Sequence, residues 1–186
     1  MKTQRVLLSM SGLGLALCLG ACALQSVPPP RLFDLGPMPA LSGAGAANPW
    51  RVHVHASDDF DTSAMRYRLM YTDPNAVLAY RDSRWSAPPA QLLRSRLDAA
   101  LAANGGGELQ VELLAFEQEF ASPDRAVVRL RARASWEQGG VAHGADFDLR
   151  VDAAPDAAGF AAAAGPACDR LAAQLAQQLG SDGAKP

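Results

Sequence analysis

Four consecutive residues, Leu19-Gly20-Ala21-Cys22, carry the most specific chemistry in this chain of 186 residues. They close an apolar run, Val6–Leu19, that follows the basic residues Lys2 and Arg5. The run has the length of a signal-peptide core, whereas a spanning helix needs about 20 apolar residues. Small side chains at Gly20 and Ala21 let a peptidase close around the backbone. The Cys22 thiol is the nucleophile that can take a thioether-linked lipid. Cys18 is no rival site, because the bulky Leu17 precedes it. This pattern predicts a leader over 1–21 and a mature chain that starts at a lipidated Cys22. Two other readings stay open: an uncleaved N-terminal anchor, and ordinary secretory cleavage at Ala21-Cys22-Ala23. The residue after the cysteine is Ala23 and not Asp. An Asp there commonly retains a Gram-negative lipoprotein at the inner membrane, so the outer membrane, on its periplasmic face, is the expected address.

Other residues able to do chemistry are sparse. Beyond the leader the sequence contains no P-loop, G-x-G-x-x-G, H-E-x-x-H, G-x-S-x-G or S-x-x-K. His53 and His55 share a strand face, but spacing fixes no third ligand, and two solvated histidines are the favoured reading. Asp58, Asp59 and Asp61 lie in a turn-like stretch and suit solvation better than acid–base work. Arg129, Arg131 and Arg133 could grip phosphates, but cross-strand charge pairing is favoured. No catalytic residue, metal or cofactor is therefore expected. The chain has 17 Lys+Arg against 19 Asp+Glu, and loss of Lys2 and Arg5 with the leader makes the remainder more acidic. Such a chain offers no basic surface for nucleic acid. If Cys22 is lipidated, Cys168 has no disulfide partner and reads as a small buried apolar residue.

These residues need elements to hold them. After the leader, the length is that of one ordinary domain. Residues 22–30 form the lipidated tether, and its Val27-Pro28-Pro29-Pro30 predicts a stiff extended spacer of roughly 20–25 Å. The domain is expected over 31–180, with a disordered tail over 181–186. Arg31–Leu35 reads as a first strand and Gly36–Pro49 as a loop. Arg51–Ala56 alternates Val52, Val54 and Ala56 against Arg51, His53 and His55, the mark of a half-buried strand. Met65–Tyr71 and Val77–Arg81 read as short strands, with a turn at Thr72-Asp73-Pro74-Asn75. A helix follows Pro88-Pro89, with Leu93, Leu97, Ala100 and Leu101 as its core stripe and Asn104-Gly105 as its end.

Two further strands specify their own pairing. Ala126–Trp136 places Val128, Leu130, Ala132 and Ala134 on one face and Arg129, Arg131 and Arg133 on the other. Val141–Val151 sets Phe147, Leu149 and Val151 against Asp146, Asp148 and Arg150. A two-residue turn at Gly139-Gly140 then puts Arg131 opposite Asp148, Arg133 opposite Asp146, Leu130 opposite Leu149 and Ala132 opposite Phe147. A one-residue slip would spoil both faces at once. Leu109–Phe120 is expected to pair on the other side of Ala126–Trp136. Its alternation shifts from Leu109, Val111 and Leu113 to Leu114, Phe116 and Phe120. Either a bulge or a second apolar patch on the outer face explains the shift. As a patch, Leu114 and Phe116 would be a self-association or docking surface; cover by a neighbouring loop is an equal alternative. Asp156–Leu179 reads as a helix, with Gly165-Pro166 kinking it or marking a late start. The sum is an α+β domain, a single mostly antiparallel sheet covered on one face by two helices.

The segment Tyr80–Pro89 is the most distinctive beyond the leader. In it Tyr80, a charged turn and Trp85 lead to Pro88 and Pro89. The favoured reading is a corner in which Trp85 plugs the core and Pro88 sets the start of the helix. The alternative is a docking corner, since exposed Trp, Tyr and Arg anchor protein interfaces. This corner resembles the ABC-type transport auxiliary lipoprotein family, of PqiC-like intermembrane transport lipoproteins. The likeness extends over 19–180: a lipobox, Phe33-Asp34-Leu35 in a first strand, Val52-His53-Val54, Tyr80 followed by Trp85-Ser86-Ala87-Pro88-Pro89, a long helix, three strands and an Ala-rich C-terminal helix. The resemblance implies a non-enzymatic outer-membrane partner of an MCE/ABC-type lipid-transport system. That partner docks the periplasmic MCE-domain protein to the outer membrane through acyl chains on Cys22, and a homo-oligomeric ring is compatible with it. Tyr80, Trp85, Pro88 and Pro89 carry over as a family-typical corner without catalytic roles. The competing expectations are a periplasmic lipid or small-molecule carrier with an apolar cavity and, far behind, a hydrolase.

Overall fold

The computed structural model describes residues 28–38, 48–56, 62–103 and 106–182. The leader, Cys22, the Asp58–Asp61 stretch and Asn104-Gly105 lie outside the described residues. Seven strands form one mixed sheet: β1 (Arg31–Phe33), β2 (Arg51–Ala56), β3 (Ala64–Leu69), β4 (Asp73–Trp85), β5 (Glu108–Ser122), β6 (Arg125–Gln138) and β7 (Val141–Ala153). Two helices, α1 (Pro89–Leu101) and α2 (Ala157–Asp182), pack against it and against each other. The fold is α+β.

The sheet order is β1-β4-β3-β5-β6-β7, with β2 also beside β5. The long β5–β6–β7 meander supplies most of the pairing and is antiparallel. β2 and β3 lie parallel to β5 along one edge: β2 pairs with Glu108–Leu113 and β3 with Gln118–Phe120. One long strand thus serves as the spine for two short ones set end to end. β1 is parallel to the end of β4.

The β6–β7 register follows the charge and apolar alternation: Arg131 faces Asp148, Arg133 faces Asp146, Leu130 faces Leu149 and Ala132 faces Phe147. Gly139 and Gly140 adopt φ of 60° and 77°. Both values lie in the left-handed region that a primed two-residue hairpin turn needs at its central positions, and that glycine occupies without a Cβ clash.

Several expectations are corrected. The turn after β3 falls at Met70–Thr72, and β4 already begins at Asp73. Arg81–Arg84 is strand and not a charged turn. The β3–β4 register shifts there, and the Arg84 guanidinium closes the irregularity by donating to the carbonyls of Tyr80, Arg81 and Ser83. Ala100 is exposed; the core stripe of α1 is Leu93, Arg96, Leu97 and Leu101. α2 starts at Ala157 and runs through Pro166 to Asp182, so the Gly-Pro pair marks no late start, and 181–182 are helical rather than tail.

Candidate functional site

Three places hold the residues that could matter for function: the β4–α1 corner, the sheet face away from the helices, and the point where the N-terminal strand meets both helices.

At the corner, β4 delivers Trp85 into the core, where it is 1% exposed. Its ring lies 5.5 Å from Phe116 of β5 and 5.0 Å, edge-on, from Phe160 of α2. Edge-to-face rings at this spacing attract beyond their area burial. Pro88 keeps an extended backbone (φ −51°, ψ 139°), and its carbonyl accepts from Gln91 and Leu92. Pro89 opens α1, where a missing N–H is no loss. Tyr80 is half-buried beside Tyr67, with ring centroids 4.8 Å apart. Its hydroxyl donates to Gln118 Oε1 at 2.7 Å, and Gln118 Nε2 donates to the Ala154 carbonyl. Burial, and then the nearby Asp156, hold the Tyr80 phenol above its ordinary pKa. The corner is therefore the join between sheet and helices.

The β5 anomaly is a bulge. Leu113 pairs with Ala132, but Ala115 pairs with Arg131, leaving Leu114 as the extra residue. The bulge turns Phe116 inward to 3% exposure, and Leu114 is half-buried. Phe116 is thus no surface patch, and Trp85, Phe116 and Pro89 present no side chain for a partner to grip. Sequence reasoning treated Trp85 and Phe116 separately, and the fold puts them in contact. Between helices and sheet the space is filled by these rings together with five leucines, Leu93, Leu97, Leu130, Leu171 and Leu175, each of which is at most 1% exposed. His53 and His55 are exposed, and among the described residues no cluster of three His, Cys, Asp or Glu could hold a metal.

The outer face of the sheet is a lattice of ion pairs. Arg129 bonds Asp148 at 2.8 Å and Glu119 at 3.0 Å; Arg150 approaches Glu119 at 3.4 Å. Arg68 Nε donates to both carboxylate oxygens of Glu117, at 2.8 and 2.9 Å, and Arg133 bonds Asp146 at 2.9 Å. Asp148 bonds the diagonal Arg129 more closely than its direct neighbour Arg131, 3.8 Å away. Arg129 holds the Asp148 carboxyl below the usual carboxylate range. Glu117 and Glu119 are buried despite lying on this face, because the arginine stems cover them. Exposed members of such a lattice are screened by solvent and contribute little to stability.

The third place was missed in the sequence. Arg96 of α1 is 4% exposed and donates through Nε and Nη2 to both carboxylate oxygens of Asp169 on α2, at 2.7 and 2.9 Å. Its Nη1 donates to the Leu35 carbonyl at 2.7 Å. One guanidinium thereby joins the first strand's exit to both helices. Gly165 makes the approach feasible: a Cβ there would fall 2.4 Å from the Leu35 oxygen. Below Leu35, the Phe33 carbonyl accepts from Ser86 at 2.7 Å, and Asp34 Oδ1 caps the Gly36 amide. A visible signal existed, since Arg96 interrupts an otherwise leucine stripe.

Next to this clamp Cys168 is fully buried, and burial pushes its thiol up to about 12. Native protein is expected to resist iodoacetamide at pH 8 and to label fully in denaturant, read by intact mass. A thiol pKa raised on folding adds stability that is complete below the unfolded value near 9 and lost as pH rises toward 12.

Among the described residues no helix is long and apolar enough to cross a membrane. No family model and no curated protein sequence matches the chain. Solved structures do match. The chain shares the fold of XCC0632 from Xanthomonas campestris, a DUF330 protein. The TM-score is 0.64 at 16% identity, covering 85% of this chain and 98% of that one. A second crystal structure, of a protein described as uncharacterized, gives a TM-score of 0.65 at 16% identity, covering 82% and 99%. A candidate lipoprotein from Caulobacter crescentus CB15 aligns over 49% of this chain and 83% of its own at 22% identity, with a TM-score of 0.32, too low to bear on the fold.

Proposed function

We propose that this chain is a lipid-anchored, non-enzymatic adaptor at the periplasmic face of the outer membrane. In this reading it docks the MCE-domain protein of an MCE/ABC-type intermembrane lipid-transport system. The observation that carries the proposal is the succession of a lipobox, a proline segment and a first strand clamped to both helices through Arg96 and Leu35. A domain held by its N-terminus needs that junction to be firm. The family resemblance at Tyr80 and Trp85-Ser86-Ala87-Pro88-Pro89 supports the transport partner. Ala23 after Cys22 supports the outer membrane. The packed helix–sheet interface gives the carrier alternative no observation of its own.

The test is recovery of the lipidated, tagged protein from envelopes in mild detergent. An MCE-domain protein is expected to co-purify in stoichiometric amount, and deletion of this chain is expected to abolish transport. Recovery of the chain alone, with transport intact in the deletion strain, would overturn the proposal.

A further inference from the structure

The β3–β4 hairpin turns at Met70–Thr72, level with the β5–β6 turn, and carries exposed apolar side chains. Met70 and Tyr71 at its tip are 41% and 48% exposed; Val77 and Leu78 lie further in, with Leu78 opposite Tyr67. Strand direction tells where that tip points relative to the anchor. β1 is parallel to β4, with Arg31 beside Ser83 and Phe33 beside Trp85. β4 descends from the tip to the corner. The chain therefore enters β1 from the side on which the tip lies. Pro28, Pro29 and Pro30 have no N–H to give a ladder, which ends β1 at Arg31 and keeps this stretch extended.

Lengths bring the two together. Ala64 lies beside Arg84, so Arg31 joins the sheet near the start of β3. The turn at Met70–Thr72 is about six residues further along, or roughly 20 Å. From Cys22 to Arg31 a fully extended chain spans at most about 30 Å. Cys22 can therefore lie no more than about 10 Å beyond the turn in that direction. A spacer of that length brings the anchor and the turn to the same side of the domain. Apolar and tyrosine side chains at such a depth suit the interfacial zone, where buried apolar faces sit about 5–10 Å into the headgroup boundary.

We infer that the β3–β4 tip is a second membrane contact, in which Met70 and Tyr71 rest in the same phospholipid surface that holds the Cys22 acyl chains. The inference rests on the lipid-anchored reading of Cys22. Anchor and tip together give two points of attachment and fix which end of the sheet faces the bilayer. The ion-pair lattice then stands roughly perpendicular to the membrane plane. The opposite end, with the Gly139-Gly140 turn and the exposed Val141, faces the periplasm.

The experiment places a tryptophan at either end of the full lipidated protein. Tyr71→Trp and Val141→Trp are made separately; native Trp50, Trp85 and Trp136 are all at most 5% exposed and give a constant background. Each is reconstituted into vesicles of phosphatidylethanolamine and phosphatidylglycerol, with the acyl chains brominated near the glycerol end. The added emission of Tyr71→Trp is expected to fall about twofold relative to unbrominated vesicles, and that of Val141→Trp to stay unchanged. Flotation of the protein with no quenching at Tyr71→Trp, or with equal quenching at both sites, overturns this inference and leaves the anchor standing. Failure to float overturns the anchor itself and this inference with it. A tip that is unquenched by lipid yet shielded once the MCE-domain protein is added is a protein contact, and it too overturns the inference.

Discussion

Cys22→Ser, expressed behind an ordinary cleavable secretory leader, is expected to move the protein from the membrane fraction to the osmotic-shock fluid. Each buried methylene contributes about 0.8 kcal/mol, and two or more chains make anchoring stable whereas one gives only marginal binding. Removing them all should lower the membrane-to-soluble ratio by more than about a hundredfold. The tip residues Met70 and Tyr71 offer too little apolar area to hold the domain by themselves. Transport should be lost as well, because an adaptor adrift in the periplasm no longer marks the outer membrane. The cleavable leader matters, since 1–21 left in place would itself be an apolar anchor. Fractionation with immunoblotting, alongside palmitate incorporation into the parent chain, checks the first outcome. A soluble protein that complements a deletion strain fully would end the adaptor account.

The second large effect is at the corner. Trp85→Ala is expected to destabilise the domain by about 3–5 kcal/mol. Its ring is in contact with Phe116 and Phe160, from a different strand and a helix, so no single element can collapse into the vacancy. For a domain of this size about 1 kcal/mol shifts Tm by 2–4 °C, so a fall on the order of 10 °C is expected in calorimetry. Trp85→Phe should be milder. It keeps an aromatic ring and removes an indole N–H that finds no acceptor among the described residues. Tyr71→Ala, by contrast, should stay within about 0.5 kcal/mol, as exposed positions usually do. Loss of partner binding in Trp85→Ala would thus report unfolding, and a contact surface has to be sought in exposed side chains.

What could be read from residue order alone divides by physical cause. The β6–β7 hairpin was fully legible because three constraints coincide there: an apolar face, a charged face and a Gly-Gly turn. The β5 shift was legible as a break, but alternation by itself could not separate a bulge from an outer patch; the Leu113–Ala132 and Ala115–Arg131 pairings do so. β4 was misread because its first residues overhang the core, with both faces wet, and Arg81-Asp82-Ser83-Arg84 then has the polarity of a turn. Parallel pairing of β2 and β3 with β5 leaves no local mark, since no short connection sets its register. The Arg96–Asp169 bond spans 73 residues and announced itself only as a charge within a leucine stripe. Trp85 as a core plug was the favoured reading, and the ring contacts agree with it.

The clamp at Leu35 has a mechanical corollary. A tug transmitted through the proline stretch acts along the axis of β1, in the plane of its ladder with β4. Bonds loaded in that direction slide together instead of peeling one at a time, so the short strand resists as a unit. Behind it the guanidinium of Arg96 passes the strain to both helices at once. A load applied at that end would be spread through the whole fold.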